Sequence, residues 1–342
     1  ARAGVGAYLS ESEHGRLYGG SLIEQVRLYA QAARQIAARG EYDIIHAHDW
    51  LSFGAGIEAR AVSGRPLVVH VHATEFDRTG GGTVNGQVYE IERQGIDMAD
   101  AVVAVSNYTK NMLVDRYGAD SAKITVVHNG IDEEQEPGKP GAVEPDWTTG
   151  LEGLKRKGEK IVLFLGRLTL QKGPDHFLRA AKRVLDEYPK ALFVMAGSGD
   201  MENQMVREAA ALGISRKVIF AGFVRGRELT TLYRAADLYV MPSVSEPFGI
   251  APLESLVQGT PVLISKQSGV SEVVRHALTA DFWDVDDMAD KIISVLKYPS
   301  LYHTLRMNGQ REARMATWKK AAEKLSSLYK KIVDFFKKIP KV

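Results

Sequence analysis

Short runs of β-branched and apolar residues alternate with longer stretches of helical spacing, and this alternation constrains the fold most. In the second half the apolar runs lie at 161–165, 191–196, 217–221, 237–241 and 261–264. They are apolar nearly throughout, as expected of parallel strands covered on both faces. Between them, 174–188, 200–212, 226–236 and 249–258 carry apolar residues three and four positions apart. Pro174 suits the first turn of its helix and Pro189 stops it. Strand, helix, strand, repeated, predicts an α/β chain with a right-handed, doubly wound sheet.

The first half repeats the pattern less completely. Residues 22–39 predict a helix, and 42–47, 67–72, 101–105 and 124–128 predict strands. Between Ile131 and Gly158 the pattern fails in a polar, Pro- and Gly-rich stretch, which marks a boundary. The expected division is a first domain at 1–135, a linker at 136–157, a second domain at 158–317 and a terminal helix at 318–342. At about 150 residues per domain, two domains also fit the length of 342 residues.

Composition removes several classes. Hydrophobic residues at 45% and charged residues at 25% exclude wholesale disorder. Lys and Arg number 44 against 42 acids, a net +2 that argues against a general nucleic-acid binder. Zero cysteines exclude disulfides, thiolate metal sites and a thiol nucleophile, and suit a cytoplasmic protein. The apolar runs are too short for a bilayer-spanning helix of about 20 residues. From Trp318 the chain is lysine-rich, with Ala321, Leu325, Leu328, Ile332 and Phe335 on one helical face. The first expectation is packing back toward the first domain; a basic amphipathic membrane-surface contact is the second.

Three constellations carry chemistry. Gly166-Arg167-Leu168-Thr169-Leu170-Gln171-Lys172-Gly173 follows a strand and precedes a helix. Such a turn offers backbone N–H groups and a helix N-terminus to an anion, and Arg167 and Lys172 add two cations. Next, Glu246-Pro247-Phe248-Gly249-Ile250 leads into a helix that carries Glu254. Its two carboxylates suit the hydroxyls of one extended ligand, although a glycosidase acid–base pair uses the same groups. Anion and polyol sites at one sheet edge point to a nucleotide-sugar better than to a bare glycan. Third, His46-Ala47-His48-Asp49-Trp50 and His70-Val71-His72 carry histidines at strand spacing, so each pair faces one side. Zinc is the obvious alternative, but the spacing matches no His-Glu-x-x-His pattern, and no metal ligand is expected. His48, Asp49 and His72 are expected at strand ends lining a cleft, with His46 and His70 as core histidines.

Taken in order, these motifs resemble the retaining GT-B glycosyltransferases of the glycosyltransferase-4, or group 1, type, near the glycogen and starch synthases. His46-Ala-His48-Asp49-Trp50, His70-Val-His72-Ala-Thr-Glu75 and His128-Asn129-Gly130-Ile131-Asp132 carry the likeness in the first half. Gly166-Arg167, Gln171-Lys172-Gly173, Gly197-Ser198-Gly199 and the Glu246-x7-Glu254 element carry it in the second. The resemblance implies two Rossmann-like domains across a cleft, with the donor mainly on the second and the acceptor mainly on the first. It implies that Arg167 and Lys172 stabilise the leaving diphosphate and that Glu254 holds the ribose. It further places Glu246, Phe248, Gly249 and Ile250 on the donor sugar, Gly166 in the donor turn and Phe223 and Val224 at the base. His72 would stand near the reacting sugar carbon, with His48, Asp49 and Glu75 on the acceptor side.

The implied activity is transfer of a hexose, glucose in the first expectation, from UDP- or ADP-glucose to a glucan in α linkage, with no separate cofactor. A small or lipid acceptor, or a GT-B sugar-nucleotide epimerase, is the alternative. Oligomeric state leaves no mark in the sequence. Family members open with a strand and a Gly-Gly loop that nothing before Tyr42 supplies. A segment of about 80–100 residues, two or three strand–helix units, is therefore expected ahead of Ala1, and a chain without it would be inactive or crippled.

Overall fold

In the computed structural model, the described residues are 20–132, 150, 151, 153 and 155–338. Most of the linker expected at 136–157 lies outside them. Among the described residues, ten strands form two separate, wholly parallel sheets. The first has β1 (Ile45–His48), β2 (Leu67–Val71), β3 (Ala101–Ala104) and β4 (Ile124–Val126), side by side in chain order. The second has β5 (Lys160–Leu165), β6 (Ala191–Ala196), β7 (Val218–Gly222), β8 (Leu238–Met241), β9 (Val262–Ser265) and β10 (Leu278–Ala280). Its order is β10-β9-β8-β5-β6-β7, so the winding reverses between β5 and β8. Diverging loops at such a switch point leave a crevice outside the carboxyl ends of the strands, where ligands of α/β sheets bind.

Each strand serves two cores because successive side chains point to opposite faces. On β5, Val162 and Phe164 join one apolar layer while Ile161 and Leu163 join the other. On β2, Leu67, Val69 and Val71 pack toward Phe53 and Ile96 of the helices Trp50–Ser63 and Gly86–Met98. Val68 points the other way, onto the last helix, Trp318–Lys338. That helix lays Ala321, Leu325, Leu328, Tyr329 and Ile332 against the first sheet. Its apolar stripe is thereby spent largely on intramolecular packing, while Phe335 near its end stays 65% exposed. No helix among the described residues is long and apolar enough to cross a membrane.

The halves also touch through polar groups. Glu272 accepts hydrogen bonds from the backbone N–H groups of Asn107 and Tyr108, both at 2.9 Å, and pairs with His128 at 2.7 Å. Burial opposes its charge, yet these bonds hold its carboxyl down at about 2. Ser106 donates to the carbonyl of Pro247 at 2.5 Å. Ser245 donates to Asp77 at 2.5 Å and so accepts from the Tyr108 hydroxyl at 3.0 Å. The chain passes between the halves beside its own return: Ile131 donates to the Ala316 carbonyl, and Trp318 to that of Ile131.

Candidate active site

At the switch point of the second sheet, the β5 and β8 loops bring together the groups singled out in the sequence. After β5, Gly166 donates to the Ala196 carbonyl and Leu168 to that of Ser198, fastening the turn to the neighbouring glycine loop. The approach is so close that a Cβ on Gly197 would stand 1.9 Å from the Gly166 oxygen, at a φ of 128°. Only glycine fits both the space and the backbone angle. A 3-10 turn, Leu170–Lys172, then leads through Gly173 into the helix Pro174–Glu187.

Lys172 meets Glu246 at 2.5 Å, and Ser243 donates to the same carboxylate oxygen at 3.3 Å. Glu246 is 7% exposed. The two residues placed separately on diphosphate and sugar are therefore one ion pair, each fixing the other's position. Arg167 stays on the surface, within 3.4 Å of the Gln171 amide oxygen. Gln171 is buried and donates to the Ser245 carbonyl.

Beyond Glu246 the loop is stitched down: Gly269 donates to the Glu246 carbonyl and Val270 to that of Phe248. Phe248 is 2% exposed, so it offers a ligand its backbone more than its ring. Gly249 then opens the helix Ile250–Val257, whose first amides have no partner of their own within the helix. Glu254, on that helix, accepts from the Tyr233 hydroxyl at 3.0 Å. Burial pushes its carboxyl up, and the Tyr233 bond works against that.

The base-contact residues separate. Phe223 is 72% exposed, whereas Val224 is 8% exposed and packs into the apolar core. Its side chain serves that core.

On the first sheet, Asp49 adopts a left-handed φ of 56° at the end of β1. Its carboxylate accepts from the backbone N–H of His72 at 2.7 Å. Asp49 is thus a positioning residue for the strand end that carries His72. His48 Nδ1 and His72 Nε2 are 2.8 Å apart and share one hydrogen bond. Glu75 departs from its expected place. It is 1% exposed, and its carboxylate accepts from Asn85 N–H and Arg78 rather than facing an open cleft. Beside it, Glu92 bonds Arg78 and the Tyr117 hydroxyl. Burial drives the Glu92 carboxyl up to about 7 despite these partners.

The polar bridge Tyr108–Ser245–Asp77 and the Glu272–His128 pair escape sequence reasoning. The available signal was two serines just ahead of Glu246 and a lone acid in a Gly-Val-Ser-Glu turn, and neither reports a partner more than 130 residues away.

Known proteins match along most of the chain. The Glycosyltransferase Family 4 pattern fits residues 13–135, and the Glycosyl transferases group 1 pattern fits residues 151–312. A D-inositol 3-phosphate glycosyltransferase of Nocardia farcinica is 34% identical over 315 residues, 87% of this chain and 68% of its own. The chain belongs to the group 1, family 4 glycosyltransferases. An uncharacterized glycosyltransferase of Methanocaldococcus jannaschii is 34% identical over 69% of this chain and 60% of its own length. A glycogen synthase of Mycobacterium tuberculosis is 31% identical over 80% of this chain and 63% of its own length. The chain therefore spans only about three-fifths of these last two relatives. Among solved structures, sucrose-phosphate synthase of Thermosynechococcus elongatus superposes with a TM-score of 0.77 at 21% identity, covering 94% of this chain and 82% of that one. HepE of Anabaena, in complex with UDP and glucose, gives 0.74 at 22%, covering 90% and 83%. The fold is GT-B.

Proposed function

We propose that the chain carries the donor site of a retaining hexosyltransferase that moves glucose from UDP- or ADP-glucose onto a glucan in α linkage. The observation that carries this is the convergence at the β5–β8 switch point. The Lys172–Glu246 pair, the Gly166–Gly173 turn and the start of the helix Ile250–Val257 all follow β5 and β8, the two strands at that point. Transfer builds negative charge on the departing diphosphate. A fixed lysine, the surface Arg167 and free helix amides stabilise that charge most in the transition state. These groups supply what a divalent ion would supply elsewhere, so no metal is assigned to the leaving group. Glu246, held by Lys172 and Ser243, is placed to receive sugar hydroxyls, and Glu254 those of the ribose. HepE, crystallised with UDP and glucose, supports a nucleotide-sugar as the donor. His72 faces the cleft from the first sheet as the group nearest the sugar carbon. The setting is the cytoplasm.

The glycogen synthase relative supports a glucan acceptor. The D-inositol 3-phosphate glycosyltransferases favour a second reading, a small phosphorylated polyol as acceptor. Labelled UDP-glucose and ADP-glucose, each offered glycogen, inositol phosphate or no acceptor, distinguish the readings. Label in glucan supports the synthase, label in the polyol supports the second, and an altered free sugar nucleotide means an epimerase. Transfer that survives Lys172→Ala and Glu246→Gln at the wild-type rate would remove the site assignment.

A further inference from the structure

Four imidazoles lie on the same side of the first sheet as the last helix, which reaches His46 through Tyr329. Because β1 and β2 are parallel with His48 opposite His70, residues 46, 48, 70 and 72 fall on one side. Ring centroids lie 4.2 Å apart for His46–His48 and His70–His72, and 5.2 Å apart for His48–His70. His70 is 5% exposed, and neither of its nitrogens has a hydrogen-bond partner among the described residues. The Nε2 of His46 is likewise buried and unpartnered. Buried polar atoms without partners are costly, and a ligand that accepts lone pairs removes that cost.

We infer that His46, His48 and His70 form a binding site for one divalent transition-metal ion of the zinc type. One ring nitrogen from each lies within 4.8 Å of the others, which small side-chain rotations bring to the spacing set by metal–nitrogen bonds of about 2.0–2.1 Å. Three neutral imidazoles and no thiolate or carboxylate suit Zn, Co, Ni or Cu over Mg or Ca. The second observation is the partner of His46. Its Nδ1 bonds the hydroxyl of Tyr329 on the last helix. A ligating histidine commonly bonds an outer group through its second nitrogen, which fixes its tautomer and ring orientation. Here that leaves Nε2 as the coordinating atom. The ion would tie β1, β2 and, through Tyr329, the last helix together. It lies on the first sheet, apart from the cations assigned to the diphosphate, and does not depend on the proposed reaction.

The sequence alone discourages this site because its ligands follow no helical zinc pattern; parallel pairing of two short strands assembles them. The test is equilibrium dialysis of the tag-free chain with ZnCl2, and titration with CoCl2 followed by visible absorption. One ion per chain is expected, with cobalt bands of a nitrogen-rich, low-coordinate site. His46→Gln and His70→Phe should abolish the bands. Tyr329→Phe, which leaves every ligand in place, should weaken binding roughly 10- to 100-fold. Absence of saturable one-to-one binding, or equal binding by wild type and His46→Gln, would overturn the site. Circular dichroism confirms that each variant is folded, and Tyr329→Phe carries the test if His70→Phe is not.

Discussion

The carboxyl edges of the two sheets carry opposite chemistry. The second sheet presents charge and backbone: Lys172 paired with Glu246, turn amides, and loops packed too tightly for any side chain at Gly197. The first presents stacked imidazole rings, with His48 and His72 sharing a hydrogen bond and His70 buried unpartnered. The contrast teaches that the lysine of the second sheet is held by countercharge and loop geometry. The imidazoles of His46 and His70 are instead kept from charging by desolvation and by neighbours of their own kind.

Four substitutions sharpen or break this comparison. The largest effect is expected at the charged edge. Lys172→Ala should lower kcat by about 10²–10³, the usual loss on removing a group that stabilises developing negative charge. A loss in KM alone would mean that the lysine binds ground state and transition state equally. Second, Gly197→Ala should destabilise the second sheet by about 3 kcal/mol in urea unfolding, because its Cβ meets a carbonyl oxygen at a forbidden φ. An unchanged midpoint would show that the loops yield.

The third concerns the first half, where Glu92 is a buried acid raised to about 7 from 4.5. A raised acid contributes most below its unfolded value and loses that contribution as pH rises through about 7. Wild-type stability should therefore fall by on the order of 2 kcal/mol from this group between pH 4.5 and above 7, and Glu92→Gln should flatten that slope. The smallest effect is at the contact between halves. Glu272, depressed from 4.5 to about 2, contributes above about pH 4.5 and loses that contribution as pH falls through about 2. Glu272→Gln should cost about 1 kcal/mol at neutral pH, and the two proteins should converge on acidification.

Much of the fold was legible because apolar runs and helical spacing are local. The strands of the second sheet fall where periodicity placed them, within a few residues; β7 is Val218–Gly222, and the run was read at 217–221. β10 was missed, since Leu278–Ala280 is three residues long and only Ala280 is fully buried. At the site, the residue types that define charged turns were visible, but pairing was not. That Lys172 meets Glu246, and that Glu75 turns into the protein toward Asn85, depend on how distant segments dock. Val224 shows the same limit from the other side: an apolar residue after a strand reads equally as ligand contact and as core.

The doubled passage between the halves has a mechanical consequence. Gly130 lies so near Thr317 that a Cβ there would stand 2.2 Å from the Thr317 carbonyl carbon. Ile131 and Thr317 run in parallel at that point as an isolated bridge. Two crossings bonded side by side resist sliding and splaying but leave torsion free. The bridge thus ties the chain just after the last strand of the first half to the start of the helix that returns to it.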